Sequence, residues 1–259
     1  MIKFGLFTDL HYGYTDYSSR KCTLGLNKLK ITLEHMKDCD FIVNLGDIID
    51  GTSDYKATNL LVDNINEHIS GLNMINVIGN HDSFHLEKTK FSEVKDAEIG
   101  AVKVFEKEET AFIVLDFNFY TDGKPYDLTN GDWTNTYCPP KQLNWLKKQL
   151  AKSKNAVIFT HQSLLSSGCD NPESYDDLHI VKNAEEVRNI LEHSGKVKYV
   201  FSGHNHNRAF ACYNGINYYT LPAMCEYDDV PFIIARLNDE NLSLSIMKAK
   251  VDSDKELVN

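Results

Sequence analysis

The hydrophobic positions of this chain form short runs whose spacing changes from one segment to the next. Residues 2–8, 40–45 and 73–78 are continuous apolar runs rich in β-branched side chains, which predicts buried strands. Residues 18–36 and roughly 55–69 instead place apolar side chains at helical spacing. The first part of the chain therefore predicts strands and helices in alternation.

After residue 100 the pattern changes from alternating strands and helices to consecutive strands. Residues 101–107 and 110–117 predict a hairpin, which follows a short predicted helix near 86–97. The other predicted elements are helices over 140–151 and from an N-cap at Asn183 to His193, and strands over 156–160, 197–202, 208–213, 216–221, 230–237 and 242–249. No repeat or linker divides them, so we expect a single domain over residues 1–259.

Side chains that can bind metal ions stand at the ends of five predicted strands. In chain order the segments are Asp9-Leu10-His11, Gly46-Asp47, Gly79-Asn80-His81-Asp82, His161 and Gly203-His204-Asn205-His206. The carboxyl ends of strands in an open α/β sheet line the crevice where ligands bind, so we expect these side chains to converge. Carboxylates, imidazoles and an amide, without thiolate, suit Mn, Fe, Co or Zn. The arrangement predicts a hydrolytic site with two metal ions.

Each of these segments also has an ordinary structural explanation when it is considered alone. Gly46-Asp47 is a common turn pair, Asn80 suits a turn in the left-handed region, and His161 is an unremarkable residue for a strand end. Two histidines around one residue, His204 and His206, are harder to explain as structure. The interpretation therefore rests on the ordered set and not on any single segment.

The charge of the chain narrows the choice of partner. The formal net charge is −10, with a pI near 5.4, which disfavours a nucleic acid polymer as a partner. Bound cations can reverse the local field, so a small phosphate ester remains a suitable substrate. Small anions therefore remain possible ligands, and the oligomeric state stays open.

The cysteines and the first residues of the chain indicate which cellular compartment to expect. The six cysteines include no Cys-x-x-Cys pair, and a chain of 259 residues does not need disulfides to be stable, so we expect reduced thiols. The start of the chain turns polar too early for a signal peptide, and no apolar run reaches membrane-spanning length. These features favour the cytoplasm and no membrane partner.

The ordered motifs resemble the signature of the calcineurin-like metallophosphoesterases, which is Asp-x-His, Gly-Asp-x-x-Asp, Gly-Asn-His-Asp/Glu, His and Gly-His-x-His. The resemblance spans residues 9–206. It implies an α/β fold, a four-layer α/β/β/α sandwich with two mixed β-sheets. It also implies two divalent or mixed-valence metal ions (Mn, Fe, Zn or Co) and attack on the ester by a metal-bridging hydroxide.

The resemblance further implies a role for each motif residue. The first ion would be held by Asp9, His11, Asp47 and His206, and the second by Asp47, Asn80, His161 and His204, with Asp47 shared. His81 would donate a proton to the leaving group, and Asp82 would orient His81. We expect Asp50 to support the site without binding metal.

Departures from neighbouring families refine the expected activity. Gly51 stands where protein Ser/Thr phosphatases carry arginine, and Asp50 stands where purple acid phosphatases use tyrosine. The segments Leu45–Gly51 and Gln142–Leu146 are similar to the manganese-dependent ADP-ribose/CDP-alcohol diphosphatases. We therefore expect hydrolysis of small phosphodiesters or nucleotide diphosphate esters. A phosphomonoesterase of the same fold is the nearer alternative, and a non-catalytic scaffold or a nuclease is less favoured.

Two loops and five histidines lie outside the motifs. An aromatic segment that includes Phe117–Tyr120, Trp133 and Tyr137 either stacks a base or covers the core, and the sequence does not decide between the two. The polar segment 166–177 is a candidate lid over the substrate. Structural roles are expected for His35, His68 and His193, whereas His85 and His179 stay undecided.

Overall fold

The computed structural model describes residues 1–85, 96, 98–126, 132–166, 178–239 and 241–251, and every strand predicted from the sequence is present. The strands are β1 (Ile2–Phe7), β2 (Phe41–Asn44), β3 (Met74–Asn76), β4 (Lys103–Lys107), β5 (Thr110–Val114), β6 (Asn155–Phe159), β7 (Val197–Ser202), β8 (Ala209–Tyr213), β9 (Ile216–Thr220), β10 (Asp229–Asn238) and β11 (Asn241–Lys250). The helices are α1 (Gly25–Met36), α2 (Tyr55–Ile69), α3 (Asn80–His85), α4 (Pro140–Lys152) and α5 (Ala184–Ser194), with a 3₁₀ turn at Cys22–Leu24.

The strands form two mixed sheets. The first has the order β11-β10-β1-β2-β3, and the second has the order β4-β5-β6-β7-β9-β8. In the first sheet β1, β2 and β3 are parallel, while β10 and β11 run antiparallel to their neighbours. In the second, β5, β6, β7 and β9 are parallel, and β4 and β8 are antiparallel strands at the two edges.

Three apolar layers hold these elements together and produce a four-layer sandwich. The central layer lies between the sheets and includes Phe4 and Phe41 from one sheet and Phe159 from the other. The outer layers pack α1 and α2 on the first sheet and α4 and α5 on the second. The predicted α/β/β/α architecture is therefore confirmed.

The central strands of the two sheets, such as β2, β5 and β6, are mostly apolar because both of their faces are buried. Along β6, Val157 and Phe159 belong to the layer between the sheets, whereas Ala156 and Ile158 pack against the helices. Successive side chains of a strand point to opposite faces, so a strand between two apolar layers needs no polar position. This explains why the sequence shows continuous apolar runs there and not alternating ones.

Two predicted elements differ in detail from the structure, and a third cannot be compared with it. Helix α1 begins at Gly25 and not near residue 18, because the backbone of Lys21 hydrogen bonds to Cys225 and holds the preceding residues as a loop. Asn183 is the N-cap of α5, but its side chain bonds the backbone of Cys138 and does not cap the helix. The predicted helix near 86–97 lies almost entirely outside the described residues.

Within the described residues, none of the five helices combines the length and apolar composition that a membrane span requires.

Candidate metal centre

The five predicted ligand segments meet at one edge of the sandwich. Asp9 and His11 follow β1, Asp47 follows β2, and Asn80 follows β3 at the start of α3. From the second sheet, His161 follows β6, while His204 and His206 follow β7. These are the carboxyl ends of parallel strands in both sheets, so the two edges form the crevice in which the side chains converge.

The first group of side chains contains Asp9, His11, Asp47 and His206. The Nε2 atom of His11 lies 3.7 Å from Oδ1 of Asp9 and 3.6 Å from Oδ2 of Asp47. The Nε2 atom of His206 lies 3.5 Å from the same oxygen of Asp9. Ligand atoms of Asp9, His11 and Asp47 all lie within 4.8 Å of one another.

The second group contains Asp47, Asn80, His161 and His204. The Nε2 atom of His161 lies 3.2 Å from Oδ2 of Asp47 and 3.2 Å from Oδ1 of Asn80. Asp47, His161 and His204 bring ligand atoms within 4.8 Å of one another. Asp47 is therefore common to both groups, and one of its oxygens is close to a histidine of each.

These positions fit two metal ions on physical grounds. Donor atoms that bind one ion at about 2.0–2.2 Å lie about 3–3.6 Å apart, which is close to the spacing in both groups. In the described part of the chain, Oδ1 of Asp9 and Nε2 of His11 and of His204 are buried without a hydrogen-bond partner. A buried polar atom without a partner costs about 1–3 kcal/mol, and cations bound in the two groups would satisfy all three.

Hydrogen bonds behind the histidines set which ring nitrogen faces the centre. Nδ1 of His161 donates to the carbonyl oxygen of Leu45 at 2.9 Å, and Nδ1 of His206 lies 2.8 Å from a carboxylate oxygen of Glu226. Nδ1 of His11 lies 3.4 Å from Oδ1 of Asp50. When such a ring is neutral, its partner favours the proton on Nδ1, which leaves on Nε2 the lone pair that a metal ion requires.

The backbone of the ligand loops is strained at the ligands themselves. Left-handed φ angles occur at five of them, namely Asp9 (52°), His11 (47°), Asp47 (52°), His204 (71°) and His206 (62°). Such conformations cost about 1–3 kcal/mol per residue and persist where the surroundings enforce them. Here the loops hold one another, because the Asp9 amide donates to the Gly46 carbonyl and the His11 amide donates to the Asp47 carbonyl.

Two glycines of the motifs are required by close packing. A Cβ on Gly79 would overlap the side chain and the backbone nitrogen of Asp47, and a Cβ on Gly203 would overlap Thr8 and Asp9. Any larger residue would push the neighbouring loop away and separate the ligands. Gly79 and Gly203 therefore allow the loops to approach closely enough to form the site.

The electrostatics of the metal-free centre is dominated by charge pairing. Burial alone would lower the pKa of the histidines, but carboxylates outweigh it at three of them. Hydrogen bonds with Asp50 and Asp9 raise the pKa of His11 to about 10, and Asp9 raises the pKa of His206 to about 11. The charge of Asp47 raises the pKa of His161 to about 9. These three histidines are therefore protonated at neutral pH when no metal ion is bound.

His204 behaves in the opposite way. Its burial, together with the charge of the neighbouring His161, lowers its pKa to about 3. The carboxylates of Asp9 and Asp47 are buried, which by itself raises their pKa, yet the surrounding histidines hold both pKa values well below the usual range. His204 is therefore neutral and both carboxylates are ionised at neutral pH, which is the state that binds metal.

The carboxylate beside His81 is Asp50 and not Asp82, which corrects our expectation. Nδ1 of His81 lies 2.9 Å from Oδ1 of Asp50. Both oxygens of Asp82 instead accept hydrogen bonds from backbone amides, those of Asp47, Ile48, Ile49 and Gly79. Asp82 is buried and points into the loop of Asp47 because α3 begins at Asn80, where the sequence suggested only a turn. Asp82 thus shapes the ligand loop.

Other residues of the site were not identified from the sequence. Glu226 and Cys225 lie beside His206, with the Cys225 sulfur 3.8 Å from Nδ1 of its ring. Arg20 and His179 join the predicted residues in lining a cleft of about 550 Å³ above the centre. No motif marks these four, since each comes from a loop whose position depends on tertiary contacts.

The undecided aromatic segment divides into two parts. Phe117 and Phe119 are fully buried and cover the core, whereas Trp133 is 38% exposed and lines the cleft. His35, His68 and His193 each hydrogen bond a carbonyl of their own helix, which agrees with structural roles. The proposed lid over 166–177 lies outside the described residues apart from Ser166, and the side chain of His85 is also outside them.

Curated relatives match this chain over part of their length. The chain is 28% identical over 150 residues to the 3′,5′-cyclic adenosine monophosphate phosphodiesterase CpdA of Escherichia coli K12, covering 57% of this chain and 48% of that protein. It is 25% identical over 206 residues to a probable cyclic nucleotide phosphodiesterase of Psychrobacter arcticus, covering 75% of this chain and 66% of that protein. The chain thus spans about half the length of the first relative.

Solved structures share the fold at low sequence identity. The crystal structure of a dimetal phosphatase from Danio rerio superposes with a TM-score of 0.79 at 17% identity, covering 97% of this chain and 99% of that one. The purple acid phosphatase PPD1 from yellow lupin superposes with a TM-score of 0.65 at 14% identity, covering 98% of this chain and 52% of that one. At these identities the likeness concerns the fold alone.

The family comparison covers most of the chain and all of the ligand segments. Residues 2–208 match the model described as calcineurin-like phosphoesterase, a family of dinuclear metal-dependent phosphoric ester hydrolases. The matched range begins at β1 and ends just after His206, so it contains both groups of side chains. The chain belongs to the calcineurin-like phosphoesterase family.

Proposed function

We propose that this chain is a dinuclear metal-dependent phosphoesterase that hydrolyses small phosphodiesters or nucleotide diphosphate esters. The observation that carries the proposal is the position of Asp47, whose Oδ2 lies 3.6 Å from His11 and 3.2 Å from His161. A buried carboxylate shared by two sets of metal-binding side chains is suited to hold two ions close together, because its charge offsets their repulsion. The phosphodiesterase names of the relatives support the same chemistry.

Each ligand has an assigned place in this proposal. Asp9, His11, Asp47 and His206 hold one ion, and Asp47, Asn80, His161 and His204 hold the other. When bound, two such ions lower the pKa of a water to about 7 and stabilise the attacking and leaving oxygens of an in-line displacement. The chain itself orients the ligands, through Leu45 behind His161 and Glu226 behind His206.

His81 is proposed as the proton donor to the departing oxygen. It lines the cleft, is 30% exposed, and is held through Nδ1 by Asp50, so Nε2 lies on the opposite side of the ring. Asp50 also contacts Nδ1 of His11, so one carboxylate links the proton donor to a metal ligand. This contact fixes the distance between the donor and the metal centre.

Metal removal tests the proposed function directly. Protein treated with chelator and then dialysed is expected to lose hydrolysis of bis(p-nitrophenyl) phosphate, and Mn²⁺ at two equivalents is expected to restore it. The same protein is assayed with p-nitrophenyl phosphate, 3′,5′-cyclic AMP and ADP-ribose, and a diesterase favours the diesters over the monoester. Equal activity of stripped and loaded protein would falsify the proposal, and preference for the monoester would indicate the phosphomonoesterase alternative.

The role of His81 is tested by the dependence on the leaving group. His81→Asn is expected to slow release of an alkoxide by roughly 10²–10⁴-fold, because an alkoxide needs a proton as it departs. Release of p-nitrophenolate, a much weaker base, should slow far less. His68→Asn is the matched control, since that histidine bonds its own helix away from the cleft. Equal losses for both leaving groups would exclude His81 as the proton donor.

A further inference from the structure

Trp133 is a large apolar side chain that reaches the solvent inside the cleft of the metal centre. It is 38% exposed and lines the same cleft as His81 and His204. Phe117 and Phe119, from the same aromatic segment, are fully buried. Tryptophan gains more from burial than almost any other residue, so its exposure at this position indicates a surface that a ligand covers.

The Trp133 ring is part of an aromatic wall that starts at a metal ligand. Its centroid lies 5.3 Å from the ring of His179 and 5.8 Å from the ring of His204. The rings of His179 and His204 are 5.4 Å apart and nearly perpendicular, at 68°. His204 is buried and is therefore fixed, so the Trp133 ring next to it presents its aromatic surface at a set position beside the metal centre.

A cation also lines the cleft, near the first group of side chains. Arg20 borders the cleft, and its backbone pairs with Glu226, the residue behind His206. In the part of the chain that the structure describes, the half-buried Arg20 forms no ion pair. Trp133 contacts His204 of the second group, whereas the backbone of Arg20 pairs with the residue that supports His206 of the first group. The cleft thus offers an aromatic wall beside the second group and a cation near the first group.

We propose that Trp133 and His179 form a binding subsite for a nucleobase, and that the phosphate ester cleaved at the metal centre is therefore part of a nucleotide. The inference rests on the proposed phosphoesterase function and adds the class of substrate to it. A nucleotide matches the cleft because a flat base and an anionic group stand at opposite ends of a sugar. Stacking of a base on an aromatic side chain changes affinity by about 5- to 150-fold.

Two esters with the same leaving group distinguish an effect on binding of the base from an effect on the hydrolytic step. Thymidine 5′-(p-nitrophenyl phosphate) carries a base, whereas methyl p-nitrophenyl phosphate carries none, and both release p-nitrophenolate. With metal-loaded protein, Trp133→Leu is expected to raise KM for the thymidine ester about 5- to 150-fold and to leave kcat/KM for the methyl ester within about twofold. Trp133→Phe keeps an aromatic face and should recover most of the affinity.

Trp145 provides the matched control, because it is the second of only two tryptophans and lies in α4, where it packs on the outer core layer. Trp145→Phe should leave both esters unaffected. In that variant Trp133 is the sole tryptophan, and thymidine 5′-monophosphate is expected to quench its fluorescence at saturation. In Trp133→Phe the remaining fluorescence of Trp145 should not respond to the nucleotide.

The outcomes distinguish a failed subsite from a failed function. Equal effects of Trp133→Leu on both esters, or no quenching of Trp133, would overturn the subsite while leaving the hydrolytic function intact. If loaded wild-type protein cleaves neither ester, the proposed function is wrong, and the fluorescence titration still decides whether the aromatic wall binds a base.

Discussion

The two halves of the metal centre differ in what lies behind their ligands. In the first half (Asp9, His11 and His206), carboxylates stand behind both histidines, Asp50 at 3.4 Å from His11 and Glu226 at 2.8 Å from His206. In the second half (Asn80, His161 and His204), the partner of His161 is a backbone carbonyl and His204 is bordered by aromatic rings. The first half therefore has more negative charge around the place where it would hold an ion.

This difference changes how each half behaves without metal. The pKa values of His11 and His206 are raised to about 10 and about 11, whereas that of His204 is lowered to about 3. At neutral pH, a metal ion that enters the first half must displace the protons of His11 and His206. A metal ion that enters the second half displaces only the proton of His161. We infer that the halves bind their ions with different dependence on pH, although they share Asp47.

The largest effect is expected where the two halves meet. Asp47→Asn removes the charge that both halves share, so both ions should be lost together and hydrolysis should fall to background. Metal content by atomic emission and activity on bis(p-nitrophenyl) phosphate check this expectation. Asp63→Asn, at an exposed position of α2, is the control and should retain both ions. Retention of a single ion by Asp47→Asn would show that the halves are more independent than the geometry indicates.

The side chains that gather in both halves come from the segments singled out in the sequence, whereas the residues behind them were not predicted. Asp9, Asp47 and His161 come directly after buried strands, and the parallel arrangement of those strands places the ligands at one edge. Glu226 comes from the loop between β9 and β10, and it reaches His206 because the chain crosses there from one sheet to the other. No local pattern reports that crossing.

The same limit applies to the fold. Apolar runs and turn signals located the strands of the last third of the chain, but β8 and β9 join one sheet while β10 and β11 join the other. Alternation along a strand reports which faces are buried and not which sheet the strand enters. Asp82 shows the same limit for a single residue. Its carboxylate accepts hydrogen bonds from four backbone amides, and this position depends on how the loops pack, which the sequence pattern does not report.

A smaller effect is expected for a change confined to the first half. Glu226→Gln keeps a hydrogen-bond acceptor behind His206 and removes its charge, which should weaken binding of one ion by about 10- to 100-fold. Titration of metal-stripped protein with Mn²⁺ should then show one unchanged and one weakened site. Glu67→Gln, an exposed position of α2, serves as the control. Equal weakening of both sites would remove the distinction between the halves.

The smallest effect concerns the stability of the metal-free protein. The pKa values of His11, His161 and His206 lie above the ordinary value of about 6.5, so the folded state binds protons that the unfolded state releases. The contribution of these histidines to the free energy of unfolding is complete below about pH 6.5. It is lost as the pH rises towards 9 to 11.

Chemical denaturation of stripped protein should therefore show a free energy of unfolding that decreases from pH 6.5 to 9. The decrease is at most about 1.4 kcal/mol per pH unit for each histidine that stays protonated. Protein loaded with Mn²⁺ should lack this slope, because metal ions replace the protons. A variant with His204→Gln should keep the slope of the stripped wild type, since His204 is already neutral, whereas His206→Gln should reduce it. A slope that is the same in stripped and loaded protein would mean that these protons and the metal ions do not compete for the same nitrogens.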